Sequence, residues 1–179
     1  MIDKSKEAGA KAVKFQKRNP EYKNTLYLDK DGVLNTAFYR SSKLSSPRNL
    51  DEVNIKQDIE DILIFSKKKF NLVVISNQPD ISRKLITKEF INENLEIIRA
   101  YLPISIAIVC PHLKESNCLC RKPNTGMIQK FRELFPDNHE SEIFVGDQIS
   151  DQECADGLNI HFIKVDNPTS LKNNLEFTF

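Results

Sequence analysis

The sequence predicts an α/β fold, a doubly wound parallel sheet, and three observations predict it. Five short runs are apolar throughout, helical patterns lie between them, and the first four runs end in polar residues. Strands this apolar are covered by helices on both faces. Strand alternating with helix builds such a sheet, and its ligands lie beyond the carboxyl ends of the strands.

Residues 1–22 are polar and basic, end in RNPEY, and show no convincing strand or long helix; they are expected to be a leader to a single domain over 23–179. The first strand is expected over 25–28 (TLYL), stopping at Asp29. KQDIEDILIFSKKK (56–69) follows as a helix, with Ile59, Ile62, Leu63 and Ser66 on one side. Lysines cluster at its end, where the helix dipole favours cations. The second strand is 71–76 (NLVVIS). TKEFINENLEIIRAYL starts on Thr87 as N-cap and repeats apolar residues at Phe90, Ile91, Leu95 and Ile98. The third strand is 104–110 (ISIAIVC). GMIQKFRELF offers Met127, Ile128, Phe131 and Leu134 to the core. The fourth strand, 142–147 (EIFVGD), precedes a short helix in SDQECADGLN, ended by Gly157 and holding Cys154 as a small buried thiol. The fifth strand is 160–165 (IHFIKV).

The composition narrows the function classes. A chain of 179 residues supports one respectable core. A net charge of +1 argues against an extended nucleic-acid surface, which needs a clear excess of Lys and Arg. No apolar run reaches the roughly 18 residues of a membrane span, and the N-terminus lacks an apolar signal core. A cytoplasmic protein is expected, with its cysteines reduced.

Chemistry gathers at the strand ends. LDKDGVLN places Asp29 and Asp31 two apart, and Gly32 then lets the chain turn. Asp147 arrives from the fourth strand. Three such carboxylates repel unless a cation is shared, and Mg²⁺ suits a few carboxylate oxygens with water and substrate phosphate. One Asp can then be a nucleophile while its neighbour serves as acid and base. Alone, D-x-D-G also fits an ordinary turn after a strand.

Cys110-x-His112-x5-Cys118-x-Cys120 is a Cys₃His set suited to tetrahedral Zn²⁺. Four protein ligands leave no open position, so this zinc would be structural and would pin the loop presenting Arg121 and Lys122.

Four motifs in order, LDKDGVLN, VVISNQ, RKP and VGDQISD, resemble those of the haloacid dehalogenase-like phosphatases, over residues 25–165. The resemblance implies roles. Asp29 would form an aspartyl-phosphate. Asp31 would protonate the leaving oxygen, then deprotonate the attacking water, and its backbone carbonyl would reach Mg²⁺. Ser76 and Asn77 would donate to phosphoryl oxygens, and Lys122 would neutralise them. Asp147 would complete the magnesium site with Asp29, and Asp151 would stand behind it. A phosphoryl group in transfer needs such an in-line attacker and positive surround whatever the family.

CPHLKESNCLCRKPNTGM resembles the zinc-bearing branch with the D-glycero-D-manno-heptose 1,7-bisphosphate phosphatases and histidinol-phosphate phosphatases. DGVLN and GMI lean toward the heptose branch, and the short His112–Cys118 spacer toward the other. Two departures stand out. Gln148 replaces the usual basic residue after VGD, which puts a second anionic contact in doubt, and TAFYRSSKLSS (36–46) lacks a Gly-rich substrate loop. Only 46 residues separate Asp31 from Gln78, so no large cap domain is expected and the cleft should be open. Arg48, Arg83, Lys84 and Arg121 are candidates for gripping the rest of a phosphosugar. KEAGAKAVKFQKRNP (6–20) also resembles a short piece of the sialic-acid synthases, which hints at a sialic-acid-like 9-phosphate.

The expected function is therefore an Mg²⁺-dependent phosphatase of small phosphosugars, with a heptose 1,7-bisphosphate-like ester as the first substrate, and the protein is expected to be monomeric or weakly dimeric. Histidinol phosphate is the alternative substrate, and a non-catalytic zinc-bearing binding module is the alternative class. Repair of DNA 3′-phosphates is disfavoured by the near-neutral charge.

Overall fold

The structure, a computed structural model, describes residues 13–16 and 21–165. A six-stranded sheet forms the middle layer, with strands β1 (Val13–Gln16), β2 (Asn24–Leu28), β5 (Phe70–Asn77), β6 (Ile104–Cys110), β7 (Glu142–Gly146) and β8 (His161–Lys164). Their order is β1-β6-β5-β2-β7-β8. All neighbours run parallel except β1, which is antiparallel to β6. All five strands expected from the sequence are present.

Side chains alternate between two cores, as the strand period of two requires. Leu26 and Leu28 of β2, with Leu72, Val74 and Val145, face helices α1 (Leu63–Lys67) and α2 (Lys88–Arg99). Tyr27, Val73, Ile75 and Phe144 face α3 (Gly126–Leu134) and α4 (Ile149–Asp156). Helix α2 begins as its sequence dictates: the Thr87 hydroxyl accepts from the Phe90 amide at 3.1 Å, a cap worth about 1 kcal/mol. It buries Ile91, Leu95 and Ile98, with Phe90 half-buried against the same core. Cys154 is buried, as expected.

Three expectations are corrected. Residues 1–22 do contribute a strand, because Val13–Gln16 pairs with the edge of β6. The stretch 56–69 is not one helix but a 3₁₀ turn, Ile59–Ile62, running into the five-residue α1. It stops where Lys69 turns left-handed at φ 63°, and it buries Phe65 while Ser66 stays at the margin. Leu134 is exposed, not core. Gly157 ends α4 as expected, at φ −60° and without the left-handed turn that glycine usually supplies there.

No cap domain intervenes between β2 and β5. Instead strands β3 (Phe38–Arg40) and β4 (Lys43–Ser45) form a small antiparallel hairpin. No helix of the described residues is long and apolar enough to cross a membrane.

Candidate active site

The parallel order brings the ends of β2, β5, β6 and β7 to one edge of the sheet, where a 660 Å³ cavity opens. That volume lies within the roughly 300–1,000 Å³ of small-molecule sites. Asp29, Asp31, Ser76, Asn77, Arg121, Lys122 and Asp151 line it, so most of the candidate residues meet.

At the floor, the Lys122 ammonium lies 2.5 Å from Asp29 Oδ1 and 2.6 Å from Asp151 Oδ1. It also donates to the Ile75 carbonyl at 3.1 Å. All three side chains are buried. Carboxylate oxygens of Asp29, Asp147 and Asp151 lie within 4.8 Å of one another, so one ammonium faces three acids. Burial, then repulsion from Asp151 and Asp147, pushes Asp29 up to about 8 against the pull of Lys122. Burial raises Asp147 as well. Burial alone would lower Lys122, yet Asp29 and Asp151 hold it raised and charged.

This imbalance fits a hard divalent cation. Asp147 Oδ1 is buried and has no hydrogen-bond partner, while its Oδ2 accepts from the Gln148 side chain at 2.6 Å. Asp151 was expected behind the metal, and the structure places its carboxylate inside the cluster. It also accepts from the Gln148 amide at 3.1 Å, at the start of α4. Gly32 is required here: at φ 104° it brings backbone so close that a Cβ would lie 2.3 Å from Asp147 Oδ2.

Asp31 faces a different set. Its Oδ1 accepts from Lys30 Nζ at 2.5 Å and from Asn35 Nδ2 at 3.3 Å, and its Oδ2 from Gln78 Nε2 at 2.6 Å. Burial would raise its pKa, but the Lys30 ammonium, with hydrogen bonds from Ser46 and Gln78, holds it below the usual carboxylate range. Lys30 and Gln78, both buried, were missed in the sequence, although both sit inside the quoted motifs.

Ser76 and Asn77 divide. Ser76 Oγ sits 3.0 Å from Gln78 Nε2 within the cavity wall. Asn77 uses its side-chain amide on Lys122 itself, donating to the Lys122 carbonyl at 3.1 Å and accepting from its amide at 3.0 Å. It therefore fixes the backbone that carries the lysine.

The Cys/His loop stands beside that backbone. Cys120 Sγ lies 3.2 Å from Cys110 Sγ, 3.5 Å from Cys118 Sγ and 3.2 Å from His112 Nδ1. A tetrahedral zinc with bonds of about 2.3 Å sets its sulfurs about 3.8 Å apart, so the four groups are close to that arrangement. All the cysteines are free thiols. The hydrogen bond from Cys120 brings Cys110 down to about 5, while the same contact and burial push Cys120 up. Arg121 Nη1 donates to the His112 carbonyl at 3.1 Å, and Asn124 Nδ2 to the Cys118 carbonyl at 2.8 Å, tying the loop to the Lys122 segment.

The metal-free site has a pH consequence. Asp29 binds its proton more tightly folded than unfolded, so the folded state loses stability as pH rises from about 4 toward 8. Asp147 acts in the same direction. Added Mg²⁺ is expected to raise Tm more at pH 8 than at pH 5.5, where protons compete for the same oxygens; an equal rise at both would show that these carboxylates do not bind it.

The chain is similar to several known proteins. Residues 29–179 match the family described as polynucleotide kinase 3 phosphatase. A probable D-glycero-D-manno-heptose-1,7-bisphosphate 7-phosphatase of Thermoplasma volcanium is 30% identical over 77% of the chain and 95% of its own length. The histidine biosynthesis bifunctional protein of Actinobacillus pleuropneumoniae is 27% identical over 78% of the chain, which spans only 39% of that relative. Among solved structures, the D,D-heptose 1,7-bisphosphate phosphatase of B. bronchiseptica, complexed with magnesium and phosphate, superposes with a TM-score of 0.64 at 21% identity over 77% of this chain and 78% of that one.

Proposed function

Since the chain belongs to the polynucleotide kinase 3 phosphatase family, among the haloacid dehalogenase-like phosphatases, we propose that it hydrolyses the phosphomonoester of a small phosphosugar through an aspartyl-phosphate. The observation that carries this reading is the buried Lys122 gripping Asp29 at the floor of an open polar cavity.

Asp29 attacks phosphorus in line with the ester oxygen. A P–O bond to Asp29 forms as the ester P–O bond breaks, and Asp31 gives its proton to the departing alcohol. Water then attacks the aspartyl-phosphate, Asp31 takes a proton back, and inorganic phosphate leaves. Lys122 moves part of its charge onto the phosphoryl oxygens at the moment negative charge spreads there. Lys30 and Gln78 hold Asp31 as a base in the resting site, so before it acts as the acid it takes a proton from solvent or from the monoanionic ester as that grip loosens on substrate binding. Mg²⁺, held by Asp29 and Asp147 with Asp151 beside them, would neutralise the excess carboxylate charge and the incoming phosphate.

The substrate reading is a heptose 1,7-bisphosphate-like sugar, supported by the named relative that the chain covers almost end to end. Histidinol phosphate is the alternative, supported by the histidine-biosynthesis relatives. The test is phosphate release with Mg²⁺ from heptose bisphosphate, histidinol phosphate, a sialic-acid 9-phosphate and a 3′-phosphorylated oligonucleotide. The heptose ester is expected to stand well above the rest. Release from the oligonucleotide alone would overturn the sugar reading, and no release from any would favour a zinc-bearing binding module.

Zinc at Cys110, His112, Cys118 and Cys120 would act as a staple, since such sites contribute on the order of 10 kcal/mol to ordering a segment. Cys118→Ser is expected to abolish stoichiometric zinc, measured by metal analysis, and to speed hydrogen exchange in residues 110–124. Unchanged exchange without zinc would show the loop to be self-supporting.

A further inference from the structure

The cavity has a second charged wall, set apart from the aspartate cluster. Asp80, on the turn after β5, is buried and binds two arginines at once. Its Oδ2 accepts from Arg48 Nε at 2.8 Å and its Oδ1 from Arg83 Nη1 at 2.8 Å. All three residues line the 660 Å³ cavity. Arg48 arrives from the segment after the β3–β4 hairpin and Arg83 from the segment after β5, so Asp80 draws together two stretches that share no strand.

The charge does not balance: two carboxylates, Asp80 and Glu52, face three guanidiniums, those of Arg40, Arg48 and Arg83. Burial would raise Asp80, but Arg83 and Arg48 more than offset it and keep it ionised. Arg48 spends its Nε on Asp80, and Arg83 one Nη, which leaves other N–H groups of each fork to donate elsewhere. Arg40, on the same wall, differs: Glu52, Ser45 and Ser46 engage it. Gln148, where a basic residue could have met a second anion, turns its side chain onto Asp147 instead.

We infer that Arg48 and Arg83, aligned by Asp80, form a subsite for a second anionic group on the substrate, so that this phosphatase prefers phosphate esters carrying a distal carboxylate or phosphate. The inference rests on the proposed phosphatase reading and narrows its substrate class. It favours a bisphosphate or an acid-bearing sugar phosphate over histidinol phosphate, whose distal end is cationic. A buried acid that orients two arginines gives a receptor formed before the ligand arrives, which limits the ordering cost of binding.

The test separates binding from turnover. Asp29→Asn protein is titrated calorimetrically, with Mg²⁺, against glucose 6-phosphate, 6-phosphogluconate and glucose 1,6-bisphosphate. At least one doubly anionic ester is expected to bind about tenfold or more tightly than glucose 6-phosphate, the worth of one charge-assisted hydrogen bond. Tighter binding of 6-phosphogluconate assigns the subsite to a carboxylate, and of the bisphosphate to a phosphate. Arg48→Gln and, separately, Arg83→Gln in the same background are expected to erase the advantage. Equal affinity for all three esters, or an advantage that survives both substitutions, would overturn the subsite. Failure of the phosphatase reading shows elsewhere, as no phosphate release from 4-nitrophenyl phosphate by the unsubstituted protein.

Discussion

Asp29→Asn is expected to stop phosphate release, by a factor on the order of 10⁴ or more, while leaving the fold standing. The amide has the carboxylate's shape but is a far poorer nucleophile toward phosphorus. Structurally the change is mild. Asp29 carries a pKa pushed up to about 8, so burial already disfavours its charge, and Asn relieves its repulsion from Asp151 and Asp147. Lys122 keeps Asp151 at 2.6 Å as its counter-ion. Turnover by mass-labelled single-cycle assay and Tm by calorimetry check the two halves together. Retained phosphate release would remove Asp29 from the mechanism, and a collapsed Tm would make it a structural residue.

Lys122→Met carries the largest expected cost to stability. The lysine is almost wholly inaccessible and supplies the positive charge among Asp29, Asp147 and Asp151. Removing one partner from a buried ion pair costs about 3–5 kcal/mol, because the remaining charges stay desolvated. For a chain of this size that is a fall in Tm of roughly 6–20 °C. Mg²⁺ should recover part of it, by serving two of the three acids. Activity is expected to vanish alongside, since the ammonium that meets the equatorial oxygens is gone. A Tm within a degree or two of the parent would show that the carboxylates discharge by taking up protons at little cost.

Much of this site was legible because strand ends are written locally. Asp29, Asp147 and the Cys/His loop each follow an apolar run that can only be a covered strand, and the parallel sheet then sends those ends to one edge. What was not legible depended on partners distant in sequence. Asn77 reads as a phosphate ligand by position, yet it clamps the Lys122 backbone, 45 residues on. Asp80 and Lys30 look like surface charges until Arg48, Arg83 and Asp31 are placed beside them. Strand β1 was missed because four residues, VKFQ, are too short an alternation to separate from chance. The β3–β4 hairpin was missed for another reason: it turns through Ser41 and Ser42, both at positive φ, where Asn-Gly would have announced the turn.

The strand order also sets a timetable. β2 is made first among the parallel strands, yet its two neighbours come much later: Leu28 pairs with Val74 on one side and with Val145 on the other. During synthesis from the N-terminus, β2, β5 and β6 can associate while β7 is still unmade. Val13 of β1 must wait for Val109 before it has a partner. Asp147 and Asp151 reach the site only with the last quarter of the chain. The nascent protein therefore builds most of its sheet around Asp29, Asp31 and their lysines, and meets the crowding of Asp147 and Asp151 only when enough apolar surface is already buried to withstand it.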